Sequence, residues 1–534
     1  MSRLDIEFIT SRLGVVSPYG ERLRRQLKVY GPEERRLLEE EYDRVDAAVE
    51  LFARKRSELF DIKSTLSEFK QLQLTLERIE GGHTLSVMEL HEVKIACRNM
   101  ERLRGQLERI KWNETVKAYA LESARPVVDL LDPDREDTST FHIYSSYSKR
   151  LGDIREQLLR LEIESKRKVK EVAAALAEEG YTVAQGVIRV RATDAERIEA
   201  ANSDPRLIYR SDTGQAKGYT IAVAAEYERR MEALRTEEEE EEFEVRTRLT
   251  LELAKDLPML IGNFDSIGRI DLLIAKTQFT VAFRLTRPHI GETVRLGGAR
   301  HLKVQVQLEK QGKKFTPIDI ELSGRVNVIT GANMGGKTVS IKLIGQMILL
   351  AQMGFFVPCE TAEIVLFDRI FLAVGDMQSI DLGLSTFGAE ILRLRDLLRS
   401  SFDNALLLID ELARGTNPDE GAAISRALIE HLMTLPVTAV ITTHFDGLTE
   451  VSGTTHYQVI GLSEQSSEAI AASLAHIGEG ETDKLRLHEF MDYRLRKALP
   501  DKQIPKEALR ISELLGLEPQ IVARARRILG GYHE

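Results

Sequence analysis

The sequence predicts an α/β fold with a parallel-sheet core in its second half. A mostly α-helical core and lever precedes it, carrying a clamp-like helical arm with a small β element. Three observations carry that prediction. Residues 1 to about 290 are rich in charge and in helix formers, with apolar residues at helical spacing over long stretches. From about residue 300 onward, short β-branched runs alternate with glycine turns and helical patterns, the rhythm of strand–helix–strand units. Three of those runs end in residues able to handle phosphate or a divalent cation.

In the helical part, Leu37, Leu38, Tyr42, Val45, Ala48, Val49 and Phe52 recur at three and four residues, so Pro32 to about Lys70 reads as one long amphipathic helix. Gly81-Gly82 breaks the pattern. Ser86 followed by Glu89 fits a capping box, and Val87, Leu90, Val93, Ile95 and Met100 continue an apolar stripe. Pro126 and Leu131-Asp132-Pro133-Asp134 mark a turn. From about Ser145 to Glu179 the pattern is helical again, and its basic cluster Lys166 to Lys170 reads as a solvated face rather than a nucleic-acid site.

Between Tyr181 and Ala225 the period shortens. Val183, Val187, Ile188 and Val190, then Tyr219, Ile221 and Val223, look like short strands around polar turns. Helical residues resume at Glu226 and run through the acidic block Glu237 to Glu242, read as a solvated surface. The expected divisions are a helical core and lever over 1–145, clamp-like arms over 146–255 with the β excursion at about 181–225, and return helices over 256–298. An α/β domain over 299–480 and a C-terminal helix–turn–helix over 481–534 are the remaining divisions.

Composition narrows the function classes. Lys plus Arg number 74 against 84 Asp plus Glu, a formal charge of −10 over 534 residues. That balance excludes polyanion binding by bulk charge and leaves room for a local basic groove. Cys97 and Cys359 provide neither a disulfide framework nor a metal-ligand spacing, and read as buried small residues in a reducing compartment. The acids of Met1 to Glu7 do not suit a signal peptide, and the most apolar stretch, about Leu343 to Val357, is too short to span a bilayer. The expectation is a cytoplasmic protein that makes no membrane contact.

Gly331-Ala332-Asn333-Met334-Gly335-Gly336-Lys337-Thr338 fits G-x-x-x-x-G-K-[ST] at every fixed position. Chance would supply such a match only about 0.02 times in a chain this long. The run Val326 to Thr330 before it reads as a buried strand, and Val339 to Met353 after it as a helix. Backbone N–H groups of such a loop close around phosphate oxygens at a helix N-terminus. Lys337 would pair with the β- and γ-phosphates of ATP, and the Thr338 hydroxyl would ligate Mg²⁺.

The second run, Ala405 to Ile409, ends in Asp410 and Glu411. Asp410 suits the Mg²⁺ shell, and Glu411 suits orientation or deprotonation of an attacking water; by themselves two acids at a strand end are also a common exposed turn. The third run, Val437 to Thr443, ends at His444, which can bond a γ-phosphate oxygen or the water, or serve as a structural histidine. Between these runs, Gly375 to Ile380, including the candidate sensor Gln378, leads into Leu384-Ser385-Thr386-Phe387-Gly388 at the start of a helix. Ser385 and Thr386 there make either an anion site or a plain N-cap.

Asn333 to Lys337, Leu384 to Phe387, Asp410-Glu411-Leu412-Ala413-Arg414-Gly415-Thr416 and Thr443-His444-Phe445 together resemble the MutS family ATPase in order and spacing, over about residues 299 to 470. Ala299-Arg300-His301 resembles the family's entry into that domain, with Leu302 where proline is usual. The resemblance implies an ABC-type P-loop NTPase with ATP sites shared across a homodimer. Lys337, Thr338, Asp410, Glu411 and His444 would act in cis, and Ser385 and Thr386 would reach the γ-phosphate of the other subunit. Arg414, Gly415 and Thr416 would communicate between sites. Ala508 to Leu529 resembles the family's dimerising helix–turn–helix, with a hairpin packed inside one subunit as the alternative reading.

Leu4 to Leu23, Thr84 to Leu90 and Leu131 to Asp134 look more like the bacterial anti-recombination branch of the family than the mismatch-repair branch. Neither a mismatch-reading domain nor a nuclease domain is expected, so neither mismatch reading nor DNA cleavage is. Two functions remain. One is a clamp on double-stranded or branched DNA, with Arg189, Arg191, Arg206, Arg210 and Lys217 as phosphate contacts; Asp194, Glu196, Glu199, Asp204 and Asp212 lie among them. The other is a protein-remodelling ATPase, resembling the MutS-like subunit proposed to reactivate adenosylcobalamin-dependent lysine 5,6-aminomutase.

Overall fold

A computed structural model describes residues 4–135, 142–184, 187–331, 336–373, 386–399, 403–411, 413, 416–445, 448, 451–462, 491–498, 509, 512–513 and 517–531. The long N-terminal helix expected over residues 32–70 is two helices, Arg35–Arg54 and Arg56–Ser67, broken at Lys55 with φ −132° and ψ 41°. The cause is a lapse in the apolar stripe. No large apolar residue lies between Phe52 and Leu59, so burial does not hold the chain straight there, and the bend turns Leu59, Ile62 and Leu66 into the core. Ser86 and Glu89 do form the capping box: Ser86 Oγ accepts from Glu89 N at 3.2 Å, and Glu89 Oε2 accepts from Ser86 N at 2.7 Å.

The helix Leu257–Phe283 is buried along most of its length and organises this part. Its Asp271 is almost fully buried and accepts from Ser17 N and Ser17 Oγ, both at 2.7 Å, which docks the N-terminal segment. Burial raises the Asp271 carboxyl above its ordinary range, while those bonds oppose the rise. Gly268 permits the contact, since a Cβ there would lie 2.9 Å from the Tyr19 carbonyl oxygen.

The arm is a pair of antiparallel helices, Lys149–Glu178 and Ala222–Lys255. The second spans about 50 Å at 1.5 Å per residue. Its acidic block is only partly a solvated surface. Glu238 and Glu242 clasp Arg155 at 2.7 and 2.6 Å, and Glu241 accepts from Ser148 Oγ at 2.6 Å. Helical spacing puts these acids on the face that continues into the buried Val245 and Leu249, whereas Glu237, Glu239 and Glu240 point outward. The basic cluster is a solvated face: Lys166 pairs with Glu162 at 2.6 Å and Lys168 with Glu171 at 2.9 Å.

At the arm's tip, β1 (Val183–Ala184), β2 (Val187–Arg191), β3 (Leu207–Asp212) and β4 (Ala216–Ile221) form an antiparallel sheet in the order β1-β2-β4-β3. Ile188, Val190, Leu207, Tyr219 and Ile221 make a small core of their own with Leu176 and Ala201. Strand β3 and the helix Ala195–Ser203 were not foreseen, because β3 buries only Leu207 and so lacks alternation. Val223 is not in a strand; the returning helix begins at Ala222 rather than Glu226.

Among the described residues ten further strands follow: β5 (His289–Ile290), β6 (Val294–Ala299), β7 (Ile318–Leu322), β8 (Val326–Thr330), β9 (Thr361–Ile364), β10 (Arg369–Ala373), β11 (Ala405–Asp410), β12 (Val437–Thr442), β13 (Thr455–Leu462) and β14 (Met491–Lys497). The main sheet has the order β10-β11-β12-β8-β13-β14, parallel except for β14, which runs antiparallel to β13. A smaller sheet has the order β5-β9-β6-β7. Tyr457 ties the two sheets, its hydroxyl donating to Glu321 O at 2.7 Å and accepting from Glu321 N at 3.0 Å. The expected return helices are thus one helix followed by β5 and β6. The region expected as a helix–turn–helix contributes β14 to the sheet before the helix Pro519–Gly531.

Both faces of the main sheet are covered. Leu406, Leu408 and Val440 pack into an apolar core shared with Leu4, Tyr42 and Ile267 of the helical part, while Leu407, Ile409, Ala439 and Ile441 pack beneath Ile429 and Leu432. The helix Lys337–Gln352 follows β8, and Pro418–Leu432 connects β11 to β12. None of the described helices is long and apolar enough to cross a membrane.

Candidate functional site

The site is built where β8, β11 and β12 end side by side. Asp410 pairs in register with Thr442, and Thr442 with Ile329, so three neighbouring parallel strands finish at one level. Thr443 N donates to Ile329 O at 3.0 Å and draws the end of β12 against β8.

Gly331 leaves β8 with φ 138°, and Gly336 opens the following helix with φ 84°. Both conformations favour glycine, and both positions are also crowded: an added Cβ would lie 3.0 Å from Val459 at Gly331 and 3.0 Å from the Tyr493 ring at Gly336. Ala332, Asn333, Met334 and Gly335 lie outside the described residues.

Lys337 is the first residue of the helix and only 2% exposed. Its Nζ donates to Gly331 O at 2.7 Å and lies 3.1 Å from Glu411 Oε1. A cation this buried needs such partners, because desolvation is costly without them. The next residue supplies a hydroxyl: Thr338 Oγ1 donates to Asp410 Oδ2 at 2.7 Å, and Thr442 Oγ1 donates to Asp410 Oδ1. A hydroxyl and a carboxylate side by side are hard oxygen donors that fit Mg²⁺, whose remaining positions suit phosphate oxygens and water. Among the described residues no cluster of three or more His, Cys, Asp or Glu side chains forms a protein-only metal cage.

Glu411 holds φ 49° and Ala413 φ 62°, left-handed conformations that are uncommon for residues with side chains. The Glu411 N–H is fixed by Thr442 O at 3.1 Å and Thr442 Oγ1 at 2.9 Å. The turn thereby aims the Glu411 carboxylate back across the site toward Lys337. His444 stands exposed just beyond β12, its ring 4.4 Å from that of Phe445.

The other expected site residues are placed differently. Thr386 begins the helix Thr386–Leu398, and Thr416 Oγ1 donates to Glu420 Oε2 at 3.3 Å in the first turn of Pro418–Leu432. Gln378, Ser385, Arg414 and Gly415 lie outside the described residues. Three participants had no role in the sequence reading. Thr442 braces both acids. Tyr493, legible only in the alternation of Met491-Asp492-Tyr493-Arg494-Leu495, flanks Gly336. His456 Nε2 lies 2.6 Å from Thr330 Oγ1 just before the loop, and burial pushes its imidazole down to about 4.

At the arm's tip Arg189, Arg191 and Arg210 are exposed and Lys217 is half-buried, and none of the four forms an ion pair among the described residues. Arg206 does not fit the role of a phosphate contact. Its guanidinium meets Glu179 at 2.6 Å and Asp204 at 2.7 Å, which neutralise it.

With this geometry established, residues 327–530 match the family described as MutS domain V. Similar curated proteins include Endonuclease MutS2 of Carboxydothermus hydrogenoformans, 29% identical over 516 residues, covering 94% of this chain and 61% of that protein. Endonuclease MutS2 of a Geobacillus species is 28% identical over 480 residues, covering 88% and 54%. That of Thermotoga maritima is 28% identical over 462 residues, covering 84% and 56%. The chain thus spans between 54% and 61% of the length of these relatives. Together the matches show a likeness to MutS domain V over residues 327–530 and to Endonuclease MutS2 proteins along most of this chain.

Proposed function

We propose that the chain is a MutS-family, ABC-type ATPase that works as a homodimer, using ATP and Mg²⁺ to open and close its arms on double-stranded or branched DNA. The observation that carries the proposal is the meeting of Lys337, Thr338, Asp410 and Glu411 at the ends of β8 and β11. These groups are a phosphate cation, two hard-oxygen ligands and a carboxylate base.

The Lys337–Glu411 pair gives the site a simple logic. Triphosphate entering the loop competes for the Lys337 ammonium, and the Glu411 carboxylate it releases turns to the attacking water, whose proton it accepts. Thr338 and Asp410 would hold Mg²⁺, which would supply positive charge to offset the negative charge that develops on the phosphates. His444, exposed at the end of β12, donates to the γ-phosphate or orients the water. Ser385 and Thr386 of the second subunit complete the site, and Arg414, Gly415 and Thr416 link the two sites, with Gln378 as the sensor. Dimerisation draws support from the helix Pro519–Gly531, where Ile521 and Ile528 are exposed one face over from the buried Val522.

ATP turnover measured with and without homoduplex, mismatched and four-way-junction DNA, at two salt concentrations, tests the client. Stimulation that weakens at higher salt supports phosphate contacts by Arg189, Arg191, Arg210 and Lys217. Turnover indifferent to all DNA moves the client to a protein such as a cobalamin-dependent aminomutase, a reading favoured by the neutralisation of Arg206. Mixing Ser385→Ala with Lys337→Ala subunits tests the shared site. Mixed dimers should recover about one working site each, and mixed dimers without recovery would refute the sharing.

A further inference from the structure

The helix Lys337–Gln352 carries the phosphate loop at one end, and its other end is gripped by the helical part of the chain. Its 16 residues span about 24 Å. The last carbonyls of a helix lack donors of their own. Here the donors come from far away in sequence. Tyr42 Oη donates to Ala351 O at 2.8 Å, and Tyr30 N to Gln352 O at 2.7 Å. Lys276 Nζ donates to Met353 O at 3.3 Å and to Gly354 O at 3.2 Å, just past the helix end.

Lys276 is 3% exposed and pairs with Glu41 Oε1 at 2.8 Å. Glu41 Oε2 also meets Arg44 and the Tyr119 hydroxyl, each at 3.4 Å. Gly354, at φ 73°, makes the approach possible, since a Cβ there would lie 2.7 Å from Glu41 Cγ. The charge complements the negative end of the helix dipole. An ion pair buried this deeply is a poor stabiliser, because an apolar pair of equal volume does as well without the desolvation cost. What it supplies is sharp dependence on position: a small shift of the carbonyls changes the balance at Lys276.

Lys276 differs from Tyr30 and Tyr42 in where its own helix leads. Leu257–Phe283 follows the arm helix Ala222–Lys255 with Asp256 alone between them. One mechanical line therefore runs from the phosphate loop along Lys337–Gln352, through the Met353 and Gly354 carbonyls to Lys276, and by two consecutive helices to the tip sheet. We infer that Lys276, clamped by Glu41, is a positioning residue that couples the nucleotide site to the arm, so that a nucleotide-dependent shift of the Lys337–Gln352 helix moves the arm. The inference rests on the reading of the site as an ATPase.

The test uses the full chain carrying Glu411→Gln to block hydrolysis. Spin labels go on cysteines introduced at the exposed Glu199 and Lys310, both native cysteines being buried. Pulsed-EPR distances are read with and without Mg-ATP, in an excess of unlabelled chain so that each distance is intramolecular. ATP should shift the arm distance in the parent. In Lys276→Met/Glu41→Leu the ATP affinity should stay within about twofold while the shift falls by at least half. Tyr42→Phe, which removes a bond to the same helix end but not to the arm's helix, should keep the full shift.

A full shift in the double variant overturns the coupling, as does a parent that binds ATP without moving. A parent that binds no ATP overturns the ATPase reading itself, and the coupling with it. If the double variant does not fold, Lys276→Gln/Glu41→Gln keeps the hydrogen bonds without the charges and is read by the same criterion.

Discussion

The β8–β11–β12 edge and the arm use the same residue types to opposite ends. At the edge, Lys337 faces Glu411 and Thr338 faces Asp410 across more than 70 residues of sequence, because parallel strands in register must end at one level. In the arm, Lys166, Lys168, Arg206 and Arg155 meet carboxylates on the same helix, in the adjoining loop or on the facing helix, and neutralise one another in pairs. The strand edge concentrates chemistry, and the helical surface disperses it. Packing differs in the same way. Leu406, Leu407 and Leu408 are wholly buried, whereas Leu159 and Ile163 of the arm are 58% and 60% exposed.

If the edge is where the chemistry lies, Glu411→Gln has the largest effect. Removing a positioned base should lower ATP turnover by about 10²–10⁴-fold while ATP affinity is kept, measured by steady-state hydrolysis and by equilibrium titration. Wild-type turnover in this variant would end the assignment of Glu411. The packing contrast comes next. Leu408→Ala opens a cavity between two covered faces and should cost about 2–5 kcal/mol in chemical denaturation. Ile163→Ala should stay within about 0.5 kcal/mol. Equal losses would erase the distinction.

The same contrast explains what was legible in the sequence. The phosphate loop, the acids at the end of β11 and His444 stand at the ends of apolar runs, where strand and motif coincide, and the Ser86–Glu89 cap is local. Lys55 breaks a helix that periodicity alone continues, because the lapse between Phe52 and Leu59 is short enough to read as noise. Strand β3 exposes most of its side chains and shows no period. The Glu41–Lys276 pair was invisible for a different reason: its partners are 235 residues apart, and Glu41 beside Tyr42 looks like the edge of a solvated face. Long-range pairing of buried charge leaves no local trace.

Acid should separate the two regions further. His301 is 1% exposed, and burial pushes its imidazole down to about 4, with nearby Asp5 only partly offsetting this. In the unfolded chain it titrates near 6.5, so between about pH 6.5 and 4 the unfolded state binds a proton that the folded state does not. Stability therefore falls as pH drops through that window and is flat above it. The loss from this residue at pH 5 is on the order of 2 kcal/mol. His456 acts in the same direction, while no histidine lies between His142 and His289 to sensitise the arm. Denaturation at pH 7 and pH 5 should show the loss, and His301→Gln should remove part of it; an unchanged slope in that variant would refute the assignment.

The smallest effect is also the most local. Arg155 joins Glu238 and Glu242 across the base of the arm and donates to Ile143 O at 2.6 Å. Its side chain and both acids are about one quarter exposed, so screening keeps the contribution near 1 kcal/mol. Arg155→Ala should therefore hardly move the global denaturation midpoint. The arm pair can open by itself, since between Leu161 and Leu176 its first helix buries no apolar side chain fully. Hydrogen exchange over residues 149–160 and 230–245 should accelerate about fivefold, the factor that 1 kcal/mol implies, while the amides of β11 keep their protection. Acceleration shared equally by β11 would mean that arm and sheet open as one cooperative unit.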